Sequence, residues 1–361
     1  MKIVENTFKG TGLTNLKNLC KGEIKFDASP VIELLKHCPV SKITPLLQNN
    51  ELTNEIGIKS LFFKDERTRM GLGSFKALGG SYVIAKEAFK NIGPEIKNID
   101  KASTALKGKT FVTASAGNHG LSVAAGARVF GAKAVIYLSV SVPKNFIDRL
   151  KSYGAEVVLE GEDYETSMAA AVRASEENKW FLLSDVTWEG YSKGIDVMEG
   201  YLVMASEAVD QWNGEPPTHV FLQTGCGGLS AAVSAHLRKR WGEQFIICTV
   251  EPEAAPALQE SIIRGTAVHT SGPVSNMGRL DCKAPSHVAL KCLAKEVDYL
   301  MTLSDEFVAK NIRILNDYNL ETSPSGGAGF AGLIACSQSN MLDINKDSKV
   351  LIFISEGSSD D

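Results

Sequence analysis

The chain has 361 residues, of which 44% are hydrophobic and 22% are charged, so its composition excludes general disorder. Its 38 basic and 42 acidic residues leave a net charge of −4 with no basic stripe, which argues against a nucleic-acid partner. The sequence contains no apolar run of about 18 residues and no signal-peptide pattern at its N-terminus. We therefore expect a cytoplasmic protein without a membrane span, of two or three domains by length.

Cysteine and histidine are arranged in a way that argues against a metal site. The seven cysteines are scattered along the chain without CxxC spacing, and the six histidines show neither HExxH nor HxH spacing. Scattered cysteines of odd number are typical of reduced thiols in the cytoplasm. The sequence therefore predicts neither a disulfide framework nor a bound metal.

Short β-rich runs alternate with amphipathic helical stretches along the chain. Strands are predicted over 60–66, 110–115, 133–139, 156–160, 180–185, 219–225, 245–251 and 349–355. Helices are predicted from 75 to about 90 and over 119–130, 144–152, 164–177, 195–212 and 229–241. This alternation predicts an α/β fold whose parallel sheets are covered by helices on both faces. Ligands in such folds bind beyond the carboxyl ends of the strands, where the loops here are rich in Gly, Ser, Thr and Asn.

The first of these loops carries a lysine at a helix start, in the run Gly73-Ser74-Phe75-Lys76. Ser74 is a suitable N-cap residue. A cation in the first turn opposes the helix dipole, so we expect the Lys76 amine to lose its proton more easily than usual. A neutral amine is the nucleophile that a Schiff base requires. Taken alone, the motif is more typical of an ordinary solvated lysine at a helix start.

The second loop, residues 115–120, reads SAGNHG and leads from a strand into a helix. Backbone N–H groups at such a junction bind carboxylates, and Asn118 offers both a donor and an acceptor. An ordinary helix cap formed by Ser or Asn is the alternative interpretation.

A glycine-rich turn, TGCGGLS over residues 224–230, joins a strong strand to a strong helix. Its backbone amides can approach a phosphate at the helix N-terminus. The same turn offers a rival interpretation, because the next strand ends at Glu251 and the pair resembles a dinucleotide-binding fingerprint with its ribose carboxylate. A tight strand-to-helix turn without a ligand is a third alternative.

The last strand ends in SEGSSD, residues 355–360. The Ser355 hydroxyl is placed where it can donate a hydrogen bond to a ring nitrogen or accept one from it. Residues 358–361 have the composition of a polar C-terminal tail.

Taken in this order, the four loops resemble those of the fold-type II pyridoxal-phosphate enzymes, whose fold is tryptophan synthase β-like. Within that group the chain is most similar to the diaminopropionate ammonia-lyases, through FKDERTRMGLGSFKALGG (63–80), TWEGY (187–191), MGRLDC (277–282) and SEGSSD. The resemblance implies a large cofactor domain, residues 1–84 and 196–361, and a small inserted α/β domain, residues 85–195. It also implies a homodimer.

The resemblance further implies pyridoxal 5′-phosphate as the cofactor and assigns roles to single residues. Lys76 would hold the cofactor and act as the catalytic base. The other cofactor-binding residues would be Asn118, Gly225, Cys226, Gly227, Gly228, Leu229 and Ser355. The substrate-binding residues would be Ser115, Ala116, Gly117 and His119.

The implied reaction is α,β-elimination from a small amino acid, most directly 2,3-diaminopropionate to pyruvate and ammonia. The ammonia-lyases typically carry an aspartate at the position of Ala116, where it serves as the base for D-substrates, so we expect this chain to prefer L-amino acids. Ser-Ala-Gly-Asn is typical of threonine and serine dehydratases, and L-threonine, L-serine or hydroxyaspartate is therefore an alternative substrate. An NAD-dependent oxidoreductase and a non-catalytic ligand-binding member of the fold are the remaining alternatives.

Overall fold

The structure is a computed structural model that describes residues 1–14 and 21–358. Its strands are β1 (Lys2–Glu5), β2 (Leu46–Gln48), β3 (Ser60–Asp65), β4 (Thr110–Ala114), β5 (Lys133–Leu138), β6 (Glu156–Leu159), β7 (Phe181–Leu182), β8 (His219–Gln223), β9 (Ile246–Pro252), β10 (Tyr299–Leu303) and β11 (Lys349–Ile354).

The strands are separated by helices of four to 18 residues. They are α1 (Ser29–Leu35), α2 (Asn50–Ile56), α3 (Gly80–Ile92), α4 (Ile99–Ala102), α5 (Asn118–Val129), α6 (Lys144–Ser152), α7 (Tyr164–Asn178), α8 (Gly194–Gln211), α9 (Gly228–Trp241), α10 (Ala257–Arg264), α11 (His287–Glu296), α12 (Asp305–Ile312) and α13 (Pro324–Gln338). None of these described helices has the length and apolar character needed to cross a membrane.

The strands form a seven-stranded sheet and a four-stranded sheet. The large sheet has the order β1-β10-β9-β8-β11-β3-β2, with parallel pairing except at its two antiparallel edges, β1 and β2. The small sheet has the order β6-β5-β4-β7 and is parallel throughout. The predicted α/β architecture of helix-covered parallel sheets is confirmed.

Burial explains only part of what the sequence revealed, since the buried strand β10 and the buried helix α13 were not predicted, whereas the half-exposed strand β6 was. Every residue of β8 is buried, and the continuous apolar run of such a central strand is easily recognised. The edge strands β1 and β2 are short and half exposed, and neither was predicted. The predicted strand 180–185 is paired only over Phe181–Leu182, because the chain then leaves the sheet as a loop. That loop contributes to the candidate site.

Candidate active site

Lys76 lies in a short 3-10 helix, Phe75–Leu78, that follows β3. The Ser74 hydroxyl accepts a hydrogen bond from the Lys76 backbone N–H at 3.3 Å, as the predicted N-cap should. The Lys76 side chain is only 21% exposed, and its Nζ forms an ion pair with Asp185 in the loop after β7. The same Nζ lies 5.5 Å from the centre of the Tyr201 ring. A carboxylate and an aromatic face therefore hold the amine in place.

The electrostatic surroundings of Lys76 differ from the sequence-based expectation. Burial alone would lower the pKa of the Lys76 amine, but the Asp185 carboxylate, together with Tyr201 and Cys226, raises that pKa well above the usual value. Burial alone would raise the pKa of Asp185, and Lys76 instead holds it well below its usual range. The expectation of an easily deprotonated lysine was wrong, because the Asp185 carboxylate, which the local sequence does not reveal, pairs with the amine.

The glycine-rich turn lies at the N-terminus of α9. Gly227, the N-cap residue, has φ +102°, a left-handed conformation that glycine adopts without strain. Among the described residues, no group accepts a hydrogen bond from the N–H of Gly225, Gly227 or Leu229. A Cβ built on Gly228 would lie 3.5 Å from the Tyr201 ring and 3.9 Å from the Asp185 carbonyl oxygen. The turn thus presents free backbone donors beside the Lys76 amine.

Asn118 begins α5 and joins the small-sheet part of the site to the large sheet. Its Nδ2 donates a hydrogen bond to the carboxyl group of Glu356, which directly follows Ser355 after β11. The Ser323 hydroxyl donates to the other oxygen of the same carboxyl group. Burial raises the pKa of Glu356, although hydrogen bonds from Ser323 and Asn118 and the nearby Arg279 oppose this change.

The other residues of the 115–120 loop occupy different environments. The Ser115 hydroxyl accepts from the Gly117 N–H at 3.2 Å, while Ala116 is exposed. His119 is 3% exposed, and its Nε2 is hydrogen-bonded to the Leu183 carbonyl oxygen at 2.9 Å. The loop therefore places Ser115, Ala116 and Gly117 at the site and His119 in the core beneath it.

Ser355 is brought next to the lysine segment by backbone contacts. Its carbonyl oxygen accepts from the Phe75 N–H at 3.0 Å, and its side chain is nearly buried, with 5% exposure. No described residue hydrogen-bonds to the Ser355 hydroxyl. The site therefore combines the free Ser355 hydroxyl with the free N–H groups of the glycine-rich turn and the Lys76 amine.

The sequence model of the family described as "Pyridoxal-phosphate dependent enzyme" matches residues 39–356. The chain belongs to this family. Its 31% identity to the diaminopropionate ammonia-lyase of Escherichia coli K12 extends over 337 residues, 88% of this chain and 85% of that protein. A crystal structure of the Escherichia coli enzyme in complex with D-serine gives a TM-score of 0.88 at 29% identity, covering 99% of this chain and 94% of the other. The L-threonine ammonia-lyase of Thermotoga maritima is 28% identical over 69% of this chain and 59% of its own length.

The site fits pyridoxal phosphate as a member of this family should. The free N–H groups at the start of α9 suit a phosphate, since a helix N-terminus favours an anion. The buried Lys76 amine suits a carbonyl group, and the free Ser355 hydroxyl suits a ring nitrogen. These unsatisfied groups are of the types that the cofactor requires.

The dinucleotide interpretation is contradicted at Glu251. This side chain is completely buried, and its two oxygens accept hydrogen bonds from the N–H groups of Leu258 and Gln259, each at 2.8 Å. Burial raises the pKa of Glu251 to about 8, although the two hydrogen bonds act to lower it. Glu251 therefore caps the start of α10 and leaves no oxygen for a ribose.

Sequence reasoning missed Asp185, Glu356 and Arg279. Asp185 lies in a loop after a strand, a position where site residues are expected. Its partner Lys76, however, is 109 residues away in the sequence. Glu356 lies within the recognised SEGSSD motif, yet only the fold shows that it meets Asn118. Arg279 lies over the 115–120 loop, with its Nη1 3.5 Å from the Ala116 carbonyl oxygen.

Proposed function

We propose that the protein catalyses pyridoxal-phosphate-dependent α,β-elimination from a small amino acid, with 2,3-diaminopropionate as the first candidate. With one water molecule, this substrate gives pyruvate and two molecules of ammonia. The observation that carries the proposal is the Lys76 amine held between Asp185 and Tyr201, beside the free donors of the glycine-rich turn. The similarity to the Escherichia coli diaminopropionate ammonia-lyase supports the reaction class. The similarity to a threonine ammonia-lyase supports L-threonine or L-serine as the second candidate.

The residues that would hold the cofactor are Lys76 and Asn118, together with the groups that the site leaves free. The Lys76 amine would bind it covalently, and the N–H groups of residues 225–229 would bind its phosphate. Asn118 would bind the ring oxygen, and Ser355 would bind the ring nitrogen. When bound, pyridoxal phosphate supplies an electron sink for the charge that develops at the substrate Cα.

Lys76 is also the group that would take the Cα proton. Its Nζ must be neutral to do so, and the proton converts it to an ammonium ion beside Asp185. The carboxylate stabilises that ammonium ion, so the proton transfer is more favourable than it would be to an isolated amine. Asp185 is thus a positioning and stabilising residue for the base.

The substrate carboxylate would be held by the Ser115 hydroxyl and by backbone N–H groups of the loop around Gly117. Ala116 carries no titratable atom, so we infer a preference for L-amino acids. His119 would orient this loop from below, because its Nε2 is already bonded to the Leu183 carbonyl oxygen.

We also propose a cytoplasmic homodimer in which each chain is divided into a large domain, residues 1–84 and 196–361, and a small domain, residues 85–195. The four-stranded sheet between residues 110 and 182 supports this division. Light scattering of the purified protein will give its oligomeric state.

The deciding experiment combines a spectrum with a substrate panel. Purified protein with pyridoxal phosphate should show visible absorbance that borohydride removes. Release of 2-oxo acid is then measured for 2,3-diaminopropionate, serine, threonine and 3-hydroxyaspartate. Visible absorbance without 2-oxo acid from any amino acid would favour the non-catalytic binding protein. Visible absorbance that borohydride does not remove would contradict the assignment of Lys76 as the residue that binds the cofactor.

The phosphate role of the glycine-rich turn has its own test, Gly228→Asp. A Cβ here meets nothing closer than 3.5 Å, and an acidic residue in the first turn favours a helix. We therefore expect a folded variant. Its affinity for pyridoxal phosphate should fall at least about tenfold, because the added carboxylate repels the cofactor's phosphate. Glu251→Gln should change that affinity by less than about threefold. A selective loss at Glu251 would contradict the assignment.

A further inference from the structure

Tyr201 of α8 lies below the Lys76 amine and beside the glycine-rich turn, and the proposed function does not use its hydroxyl group. The residue is completely buried, with 0% exposure. No described residue forms a hydrogen bond with its hydroxyl oxygen. Burying a hydroxyl group without a partner costs free energy, so such a group beside a ligand site points to a partner outside the polypeptide.

Two glycines fix the position of the phenol ring. Gly79 directly follows the 3-10 helix that carries Lys76, and a Cβ built on it would lie 2.6 Å from Cε1 of Tyr201 and 2.9 Å from Cζ. These distances are too short for any side chain, so glycine is needed for the ring to approach this closely. A Cβ on Gly228, the first residue of α9, would lie 3.5 Å from Cε2. Because Cζ carries the hydroxyl group and lies between Cε1 and Cε2, this group is placed where the lysine segment meets the start of α9.

The start of α9 favours an anion, and a phenol can donate a hydrogen bond to one. Among the described residues the N–H groups of Gly225, Gly227 and Leu229 are free, and the helix N-terminus adds a partial positive charge. Burial raises the pKa of Tyr201 above its usual value, although the Lys76 ammonium ion acts to lower it. The phenol therefore stays protonated at neutral pH, as a donor to an anion must.

We propose that the Tyr201 hydroxyl group donates a hydrogen bond to the phosphate of the cofactor, and that the protein thereby selects pyridoxal phosphate over unphosphorylated pyridoxal. The inference rests on the cofactor assignment of the proposed function and adds one side-chain donor to the backbone donors of the glycine-rich turn. It concerns binding alone, so its test does not depend on turnover of any amino acid.

The variant Tyr201→Phe removes the hydroxyl oxygen and keeps the ring, which packs edge-on against Phe75 with 4.8 Å between the ring centroids. Pyridoxal phosphate and pyridoxal are each titrated into the cofactor-free protein, and the visible absorbance gives both Kd values. We expect the Kd of pyridoxal phosphate to rise at least about tenfold, because a hydrogen bond to a charged group is lost. The Kd of pyridoxal should change by less than about threefold.

The stability of the cofactor-free protein gives a second readout. Removing a hydroxyl group that has no partner leaves no other group unpaired, so Tyr201→Phe should keep or raise the free energy of unfolding without cofactor. A fixed concentration of pyridoxal phosphate should then stabilise the variant less than the parent. Tyr82→Phe is the matched control, because Tyr82 is a buried tyrosine of α3 whose ring lies against Lys86. This control should leave the ratio of the two Kd values unchanged.

The outcomes separate this inference from the proposed function. Equal weakening of both ligands would place the hydroxyl group at the Lys76 end of the cofactor and overturns the phosphate contact, as does unchanged affinity for both. Reduced stability of the cofactor-free variant would show a partner within the protein and also overturns it. Selective weakening of pyridoxal phosphate, with no 2-oxo acid released by the parent from any amino acid, supports the phosphate contact and overturns the elimination.

Discussion

Two of the contacts between the large-sheet and small-sheet parts of the site differ in charge. Lys76, after β3, meets Asp185, after β7, as a full ion pair. Glu356, after β11, meets Asn118, at the start of α5, as an acid beside a neutral amide. The ion pair favours the charged forms of both partners, whereas burial raises the pKa of Glu356, which forms no ion pair with any described residue.

This difference assigns different tasks to the two contacts. An amine that gains and loses a proton beside a fixed carboxylate suits base catalysis. An amide whose Nδ2 is fixed by a carboxyl group suits the orientation of a bound ring. Substitutions in each contact separate base catalysis from ring orientation.

Lys76→Ala removes the amine from the ion-paired contact. Because the same amine would hold the cofactor and take the Cα proton, we expect turnover to fall at least about 10⁴-fold. Asn118→Ala removes only hydrogen bonds and should cost about 10–100-fold. Steady-state rates on the best substrate give both values, and peptide mapping after borohydride reduction should place the label on Lys76. A label on another lysine would contradict the division.

Ala116→Asp adds an acid to the small-sheet loop that carries Asn118. The unaltered protein should use L-amino acids faster than D-isomers by at least about 100-fold, since a positioned base is worth about 10²–10⁴-fold. If the new carboxylate reaches Cα, the variant should gain activity on the D-isomer. Initial rates on resolved L- and D-2,3-diaminopropionate, with L- and D-serine as the hydroxyl control, measure both ratios. Comparable rates for the two enantiomers before substitution would show that another acid, such as Glu356, already serves as the second base.

Asp185→Asn and Glu356→Gln should alter the pH dependence of stability in opposite directions. The pKa of Asp185 is lowered by folding, so its contribution is present above its unfolded pKa and is lost as pH falls. The pKa of Glu356 is raised by folding, so its contribution is present at low pH and is lost as pH rises through the folded pKa.

In the cofactor-free protein we expect Asp185→Asn to lower the free energy of unfolding at pH 7 by about 3 kcal/mol, the low end for a buried ion pair, because both side chains are partly exposed. This loss should shrink toward acid pH. Glu356→Gln should instead flatten the decline in stability as the pH rises from acid to neutral values. Urea unfolding across this range, with the exposed pair variant Asp210→Asn as control, gives the slopes. If the stability of the two site variants depends on pH in the same way, the proposed difference between the two contacts is contradicted.

Local sequence patterns predicted one residue of each of these two contacts. Lys76 and Asn118 follow a strand and begin a helix, and such positions can be read from a few neighbouring residues. Asp185 and Glu356 acquire their roles only when the two sheets meet, at separations of 109 and 238 residues. The helix dipole predicts a lowered pKa for Lys76. The direction is wrong because that argument considers only neighbouring residues and omits the carboxylate of Asp185, which is distant in sequence. Strand β8 was recognised by its continuous buried run, but the buried strand β10 was missed and the half-exposed edge strand β6 was predicted, so burial alone does not decide which strands a sequence reveals.

Ser355→Ala tests the smallest difference, at the residue beside Glu356. A carboxylate keeps a ring nitrogen protonated, whereas a neutral hydroxyl does not. An unprotonated ring withdraws electrons less strongly, and this favours β-elimination over transamination. Loss of one hydrogen bond should slow turnover by about 2–10-fold, corresponding to about 0.5–1.5 kcal/mol, with the visible absorbance retained. Ser355→Asp should protonate the ring nitrogen and increase the share of transamination, measured as the pyridoxamine phosphate formed per 2-oxo acid released. If both variants match the parent, the ring nitrogen is bound by another group, and the role of this side of the site is confined to Asn118 and Glu356.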